Sequence, residues 1–268
     1  MIDELFAAAV ANSGDLDDRW EPIKALHAHE DPAAVRAAAE RRLVSEDPVV
    51  REAAVDVLAQ VGGPDAPDRP ERATLLLDRL AIETHPHVLA ALATALMHLR
   101  DPRALESLIA LAGHEHPLVR RGVVDGLSFE AEDDRAIDAL IALSADPIAE
   151  IRDWATFTLG HLGYRTGPRV LDALAVRLHD EDRHTSAEAL YALALRADPR
   201  AVARLLELLD DGWYDGLIDR ALVALTIAFP DDGRLSAALA ERWPNGVPDR
   251  VRRQVEDNLE QLEECARP

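Results

Sequence analysis

Residues 47–58 read Asp-Pro-Val-Val-Arg-Glu-Ala-Ala-Val-Asp-Val-Leu, and the pattern of this stretch returns along the chain. It is an arginine, a small residue three positions later, another small residue three positions after that, and then a leucine. Strong copies begin at Arg51, Arg120, Arg152 and Arg183, and looser copies begin at Leu89 and Ile218. These starting points lie 31 to 38 residues apart, which is the period of stacked structural repeats.

Each repeat is predicted to be a hairpin of two helices, called A and B in chain order. A helices begin at pairs such as Asp101-Pro102 and Asp198-Pro199, and B helices at pairs such as Asp47-Pro48 and His116-Pro117. An aspartate at this position accepts hydrogen bonds from the first helical turn, and proline is tolerated directly after it. Nearly all of the 16 prolines are therefore predicted at helix starts, and none in the middle of an apolar-periodic stretch.

The composition limits the function classes. The chain has 268 residues, with 29 Lys+Arg against 50 Asp+Glu and a net charge of -21, so it would repel the phosphate backbone of a nucleic acid. The single Cys265 excludes an intramolecular disulfide and a thiolate zinc site. No segment is apolar enough to span a membrane, and the N-terminus does not resemble a signal peptide. We therefore expect a cytoplasmic protein without a cofactor.

The layout resembles the HEAT-like repeats of bacterial phycobilisome-lyase-type proteins over about residues 30–230. The resemblance rests on the Asp-Pro starts, on the Val50-Arg51, Val119-Arg120 and Ile151-Arg152 pairs, and on the end Leu159-Gly160-His161-Leu162-Gly163. It implies that A helices line the convex side and B helices the concave side. It also implies a ladder of side chains between repeats, formed by Asp47/Arg51, Arg120, Asp146/Arg152 and Arg183.

The predicted fold is all-α, an α-solenoid of about seven stacked HEAT-like helical hairpins. The whole chain, 1–268, is expected to be a single solenoid domain. Residues 1–30 are predicted to be N-terminal capping helices, 31–230 the repeats and 231–268 the C-terminal capping helices, because the ends of a repeat stack need a polar outer face.

Helical geometry predicts which B-helix residues face the groove. Taking residues 51–61 as the template, positions 52, 56 and 59 point away from the stripe that packs on the A helices. Across the repeats the first row is Glu52, Ala90, Arg121, Asp153, His184 and Asp219. The second row is Asp56, Thr94, Asp125, Phe157, Glu188 and Val223, and the third is Ala59, Met97, Ser128, Gly160, Tyr191 and Thr226. The groove is therefore predicted to be mostly acidic, with Arg121 as the main exception.

One aromatic residue interrupts a largely polar row. Phe157 has the character of a binding anchor, and Phe129, Trp154, His161 and Tyr191 come from the same or adjacent repeats. Together they are predicted to form a mid-groove patch whose rim carboxylates suit an arginine or lysine side chain. Inter-repeat packing of Phe157 and His161 is the alternative that the sequence leaves open. The predicted binding residues are Phe157, Asp125, Asp153, Glu188, Tyr191, Arg121, Trp154 and His161.

Three kinds of chemistry that occur on similar repeats lack their residues here. Deoxyhypusine hydroxylases hold iron with His-Glu pairs in their B helices, but the positions after the repeat arginine read Glu52-Ala53, Arg121-Gly122 and Asp153-Trp154. His114-Glu115-His116 is interpreted as a helix start that binds metal only adventitiously. Alkylpurine glycosylases need a basic groove, and no residue set specifies a bilin chromophore.

The function predicted from these observations is a non-enzymatic scaffold that binds a basic or arginine-bearing protein segment in an acidic concave groove. Handling of a small molecule or chromophore by the aromatic patch is the first alternative. A purely structural protein without a ligand groove is the second.

Overall fold

The computed structural model describes residues 1–12, 16–128, 133–162, 167–213 and 215–265, and every regular element within them is helical. Phe129 and Gly163, which the sequence analysis used, lie outside the described residues. The chain divides into two compact units, residues 1–130 and residues 131–268.

The first unit contains four successive helix pairs among its described residues. Its helices are α1 (Ile2–Ala11), α2 (Leu16–His27), α3 (Pro32–Arg42), α4 (Pro48–Gln60), α5 (Arg69–Leu80), α6 (Pro86–Leu99), α7 (Leu105–Leu111) and α8 (Pro117–Leu127). A short 3₁₀ turn, Pro102–Ala104, leads into α7. The B helices pack side by side, with α6 between α4 and α8.

The second unit also contains four successive pairs. Its helices are α9 (Asp134–Leu143), α10 (Ala149–Phe157), α11 (Pro168–Arg177), α12 (Arg183–Leu195), α13 (Arg200–Asp210), α14 (Gly216–Ala228), α15 (Gly233–Arg242) and α16 (Asp249–Cys265). A π-helical turn, Thr158–Leu162, continues α10. The all-α fold of stacked helical hairpins is therefore confirmed, with eight helix pairs in the described residues where about seven were predicted.

From α3 to α14, except in α9 and α10, each B helix is buried more completely than the A helix before it, because it has neighbours on more sides. In α12 every residue from 185 to 195 is buried, and this helix packs against α10, α11, α13 and α14. In the A helix of the same pair, α11, the buried residues are Val170 and Leu174. A helices accordingly alternate apolar and polar residues at helical spacing, whereas the middle of α12 is almost uniformly small or apolar.

Aspartate side chains cap several helices, as the sequence predicted for Asp47 and Asp101, but one proline lies away from a helix start. The carboxylates of Asp31, Asp47, Asp101, Asp133 and Asp182 each accept a hydrogen bond from a backbone N–H of the helix that follows. Pro22, in contrast, lies inside α2. Proline has no N–H to donate to the carbonyl four residues earlier, and here the side-chain amide of Asn12 donates to that carbonyl, Asp18 O, at 3.3 Å.

The repeated arginine cross-links neighbouring repeats. Arg152 donates from Nη1 to the backbone carbonyls of Asp146 and Pro147, at 2.9 and 3.3 Å. Its Nε and Nη2 reach Asp180 in the next repeat, with the shortest contacts at 3.0 and 2.9 Å. The guanidinium thereby ties the start of one B helix to the turn before the next B helix.

The ladder differs in detail from the one that the resemblance implied. The carboxylates of Asp47 and Asp146 accept from the backbone N–H groups of Val49 and Ile148 near the starts of α4 and α10. In the next repeat, Arg51 reaches the carboxylate of Glu83 and Arg152 reaches that of Asp180. Arg183 is exposed, and its guanidinium lies over the Trp213 ring at 5.4 Å. Position in the repeat alone therefore does not fix the partner of each arginine.

Helices α6 and α8 approach so closely that a side chain is excluded between them. A Cβ built on Gly122 would lie 2.7 Å from the carbonyl oxygen of Ala90. Such a contact is far inside normal van der Waals distance, so the glycine permits the close packing of these two B helices.

Candidate functional site

The predicted aromatic residues of the second unit form one continuous chain of rings. Trp154 meets Phe157 edge to face at 5.8 Å between ring centroids. Phe157 then lies 5.2 Å from His161, and His161 lies 5.3 Å from Tyr191. We call Trp154, Phe157, His161 and Tyr191 the ring chain. The structure thus brings together four of the eight predicted binding residues.

Exposure divides the ring chain into two ends. Trp154 is 40% exposed and Phe157 is half-buried, whereas Tyr191 is only 2% exposed. The side-chain amide of Asn258, in α16, donates to the Tyr191 hydroxyl at 2.9 Å, and Arg220 of α14 lies over its ring at 5.2 Å. The prediction that Tyr191 lines an open groove is therefore wrong, because α16 packs against α12 and α14 on that side.

Glu188 is buried as well, contrary to its predicted place at the rim. Its side chain is 8% exposed, and its Oε2 lies 2.8 Å from His161 Nε2. The two atoms are not in hydrogen-bond geometry, and neither has another hydrogen-bond partner in the part of the chain that the structure describes. Glu188 and His161 therefore form a buried pair beneath Phe157 rather than a surface for a ligand.

The π-helical turn explains why register reasoning failed after Phe157. A π-turn inserts one extra residue into an α-helix and often marks a functional site, so residues 158–162 are rotated relative to an ideal continuation of α10. Arg196 donates from Nη1 to Gly160 O at 2.7 Å and to Ala192 O at 2.9 Å. Burial lowers the pKa of this guanidinium to about 10. His161 lies within this turn, and its Nε2 faces Glu188.

Asp153 lies one turn before Phe157 and keeps a partly exposed carboxylate. Its side chain is 20% exposed, and Oδ1 lies 2.8 Å from Nδ1 of His184, whose side chain is 63% exposed. Burial raises the pKa of Asp153, and the hydrogen bond to Asp153 raises the pKa of His184. The open end of the ring chain therefore combines the two aromatic side chains of Trp154 and Phe157 with the carboxylate of Asp153. The imidazole of His184 would compete with a ligand for this carboxylate.

Arg121 and Asp125 belong to the first unit, where they pair with each other along α8. Both line a cavity of about 380 Å³ between α2, α4, α6 and α8. Its lining includes the first-row residues Glu52, Ala90 and Arg121, the second-row residues Asp56, Thr94 and Asp125, and Ala59 of the third row. These seven residues of the predicted rows therefore line one cavity in the first unit.

Sequence reasoning missed Arg19, which the repeat pattern does not include. Arg19, from α2, is 5% exposed. It donates from Nη1 to Glu52 Oε1 at 2.5 Å and from Nη2 to Asp56 Oδ2. Burial and the charge of Glu52 raise the pKa of Asp56 to about 7, against the opposing effect of Arg19. Two sequence features could have indicated this contact. Arg19 is an arginine outside the repeat pattern, and Glu52 and Asp56 are carboxylates four residues apart on one helix.

No group of three or more His, Cys, Asp or Glu side chains in the described residues is arranged to hold a metal ion. His114 and His116 act as the sequence predicted, since each Nδ1 accepts a hydrogen bond from a backbone N–H two residues later. The described residues also contain no helix that is both long and apolar enough to cross a membrane.

Several known proteins are similar to this chain. Protein YibA of Escherichia coli, in strains K12 and O157:H7, is 29% identical over 122 residues, which cover 45% of this chain and 43% of YibA. The match thus spans less than half the length of these relatives. The X-ray structure of E. coli YibA superposes with a TM-score of 0.73 at 19% identity, over 96% of this chain and 92% of that chain.

An engineered protein of known crystal structure has a TM-score of 0.51 at 19% identity, over 97% of this chain and 77% of that one. Both structures show a common fold at low sequence identity. The family model for HEAT repeats matches residues 73–160 and 137–226, which together make up more than half of the chain. The repeat pattern, the helical hairpins and this match agree, and the chain belongs to the HEAT-repeat family.

Proposed function

We propose that the protein is a non-enzymatic scaffold that binds a basic, arginine-bearing segment of a partner protein at the open end of the ring chain. HEAT-repeat solenoids are commonly protein-interaction scaffolds. The observation that supports this function best is the exposed Trp154 ring beside Phe157, next in sequence to the carboxylate of Asp153. Adjacent exposed apolar side chains that polar groups surround are typical of interaction sites.

An arginine side chain suits this surface in two ways. Its planar guanidinium stacks on an indole or phenyl face and forms paired hydrogen bonds with a carboxylate. His184 already occupies the carboxylate of Asp153 at 2.8 Å, so an incoming guanidinium replaces a partner that carries at most the same charge. The net charge of -21 favours the approach of a basic segment from a distance.

The burial of Glu188 decides how this proposal is tested. The Glu188 side chain is only 8% exposed. Replacing it with lysine would bury a positive charge, so the variant would test folding rather than binding. The informative variants are therefore Trp154→Ala, Phe157→Ala and Asp153→Asn. Matched controls in the same unit are Val176→Ala, whose side chain is 62% exposed, and Asp172→Asn at an exposed site on α11.

The experiment measures fluorescence anisotropy of a labelled peptide of alternating arginine, glycine and serine. We expect Trp154→Ala and Asp153→Asn each to weaken binding about tenfold, the equivalent of about 1.4 kcal/mol, with unchanged helix content. The control variants should bind as the unmutated protein does. Normal binding by Trp154→Ala, or equal weakening by Val176→Ala, would exclude this surface. Affinity capture from host lysate with the same variants would then identify the natural partner.

The ring chain also supports a second candidate function, the handling of a small aromatic molecule or chromophore as in the phycobilisome-lyase-type proteins that the repeats resemble. The supporting observation is that four rings lie in sequence at 5.2 to 5.8 Å, with only the Trp154 end exposed. Native mass spectrometry of protein purified from its host tests this candidate. A stoichiometric bound compound that is lost in Phe157→Ala would favour it over peptide binding.

A further inference from the structure

The first unit has a concave site of its own, formed by different helices from those of the ring chain. Its cavity of about 380 Å³ lies between the N-terminal helix α2 and the B helices α4, α6 and α8. The small residues Ala90, Ala91, Ala95 and Gly122 line it, with Trp20 and Leu118 as the larger apolar groups. A long aliphatic side chain therefore has both room and apolar surface to contact.

The carboxyl groups around this cavity outnumber the guanidinium groups by one. Three carboxylates, from Glu52, Asp56 and Asp125, and two guanidinium groups, from Arg19 and Arg121, line it. His87 and His98 also line it, and burial lowers the pKa of the His98 imidazole. Because the pKa of Asp56 is about 7, the excess of carboxylate over guanidinium charge is less than one near neutral pH and grows as the pH rises, and this excess favours an added cation.

Arg19 shows how a guanidinium binds in this environment. Its two terminal nitrogens each take one carboxylate, Nη1 with Glu52 and Nη2 with Asp56. The side chains of all three residues are at most 16% exposed. The forked donor geometry of arginine matches two carboxylates one helical turn apart. Arg19 contacts one oxygen of each carboxylate, Oε1 of Glu52 and Oδ2 of Asp56.

On the other side of the cavity the carboxylate of Asp125 is less buried. Its side chain is 28% exposed, with Oδ1 paired to Arg121 and Oδ2 accepting from the Thr94 hydroxyl at the long distance of 3.4 Å. A carboxylate accepts up to about four hydrogen bonds. Asp125 and Glu52, which both line the cavity, therefore each have capacity for a further hydrogen bond.

We propose that this cavity binds one guanidinium-bearing side chain, an arginine of a peptide segment, which pairs with Asp125 and Glu52 and stacks against Trp20. Its aliphatic stem lies along the alanine-lined surface, as long cationic side chains do on apolar surface. A lysine matches less well, because its compact ammonium neither stacks as a plane nor donates as a fork. This site is independent of the proposed function of the ring chain, since it shares no residue with it.

The experiment uses the full chain and a peptide, acetyl-Ala-Ser-Arg-Ser-Ala-amide, with citrulline and lysine versions as probes. Citrulline has nearly the shape of arginine but no charge. The measurement is the indole N–H resonance of Trp20 in ¹⁵N-labelled protein, assigned from the signal missing in Trp20→Phe. We expect a saturable shift with the arginine peptide, at least tenfold weaker binding of the lysine peptide, and no saturable shift with the citrulline peptide.

Two variants of equal charge decide whether the cavity is responsible. Asp125→Asn should weaken binding of the arginine peptide about tenfold, whereas Asp78→Asn, at an exposed position on α5, should leave it unchanged. Glu52→Gln is the second cavity variant, and thermal melts confirm that each variant is folded. Equal weakening by Asp78→Asn, equal binding of the citrulline peptide, or an unmoved Trp20 signal would overturn the proposal. Trp154→Ala should bind this peptide normally at Trp20, which separates this test from that of the ring chain.

Discussion

Arg51 and Glu83, 32 residues apart, form a buried two-pronged ion pair that joins successive repeats. Arg51 donates from Nε and Nη2 to the two carboxylate oxygens at 2.9 and 3.0 Å, and the Glu83 side chain is 1% exposed. Although burial alone would raise the pKa of Glu83, hydrogen bonds from Arg51, the His85 N–H, Arg79 and the Thr84 N–H lower it to about 2. The most regular feature of the sequence is therefore a structural cross-link.

The first prediction concerns this pair. Glu83→Gln removes the charge that both Arg51 and Arg79 face, and it leaves two largely buried guanidinium groups without compensation. We expect the free energy of unfolding to fall by about 3 kcal/mol, as when one partner of a buried ion pair is removed. Urea denaturation measures the loss, with Glu71→Gln at an exposed position of α5 as the control. A loss no larger than that of the control would show that the pair contributes little.

The second prediction concerns the pH dependence of stability at Asp56. Its pKa is about 7 in the folded protein against 3.8 in an unperturbed chain, so the folded state binds this proton more tightly. The corresponding stabilisation is complete below about pH 4 and is lost as the pH rises through about 7. Asp56→Asn removes this titration. When the pH rises from about 5 to about 8, the free energy of unfolding of the variant should therefore fall by roughly 2 kcal/mol less than that of the unmutated protein.

Chemical denaturation at the two pH values measures this difference. Asp78→Asn, at an exposed position, serves as the control and should show the same pH dependence as the unmutated protein. Parallel pH profiles for Asp56→Asn and the unmutated protein would mean that the Asp56 carboxylate titrates at its ordinary pKa.

The third prediction tests the close approach of α6 and α8. In Gly122→Ala the new Cβ would lie 2.7 Å from Ala90 O, and the two helices must separate to accept it. We expect a destabilisation of about 1–3 kcal/mol, typical of overpacking. Gly113→Ala is the matched control, since no atom lies within 4 Å of its added Cβ. Equal stability of the two variants in thermal melts would show that the helices can move apart at little cost.

The fourth prediction concerns the contact between α16 and the buried end of the ring chain. Asn258→Ala removes the donor to the Tyr191 hydroxyl and leaves a polar group only 2% exposed. The expected loss is about 1 kcal/mol, with faster amide hydrogen exchange in α16 because this helix opens more easily. Hydrogen exchange read by mass spectrometry measures it, and Glu260→Ala, exposed on the same helix, should exchange normally.

The sequence predicted the placement of site residues that lie in regular α-helices. It did not predict the placement of residues that follow an irregular turn in the backbone. In the first unit α4, α6 and α8 are regular helices, so counting from Arg51 and Arg120 placed Glu52, Asp56 and Asp125 on one cavity. In the second unit the π-turn shifts the register after Phe157, and helical periodicity carries no sign of it. The ring chain was predictable as a set of neighbours, because Trp154, Phe157 and His161 are close in sequence.

The sequence by itself determined the repeat period, the helical hairpins, the aspartate caps and the acidic character of the chain, since each of these depends on residues a few positions apart. The tertiary structure decided which of the predicted groove residues meet solvent. It buried Tyr191 against Asn258 of α16, 67 residues away, and placed Arg19 of α2 over Glu52 and Asp56. Both contacts involve helices outside the range predicted for the repeats, α2 and α16. A local pattern fixes the face of a helix on which a side chain lies, but what covers that face depends on distant segments of the chain.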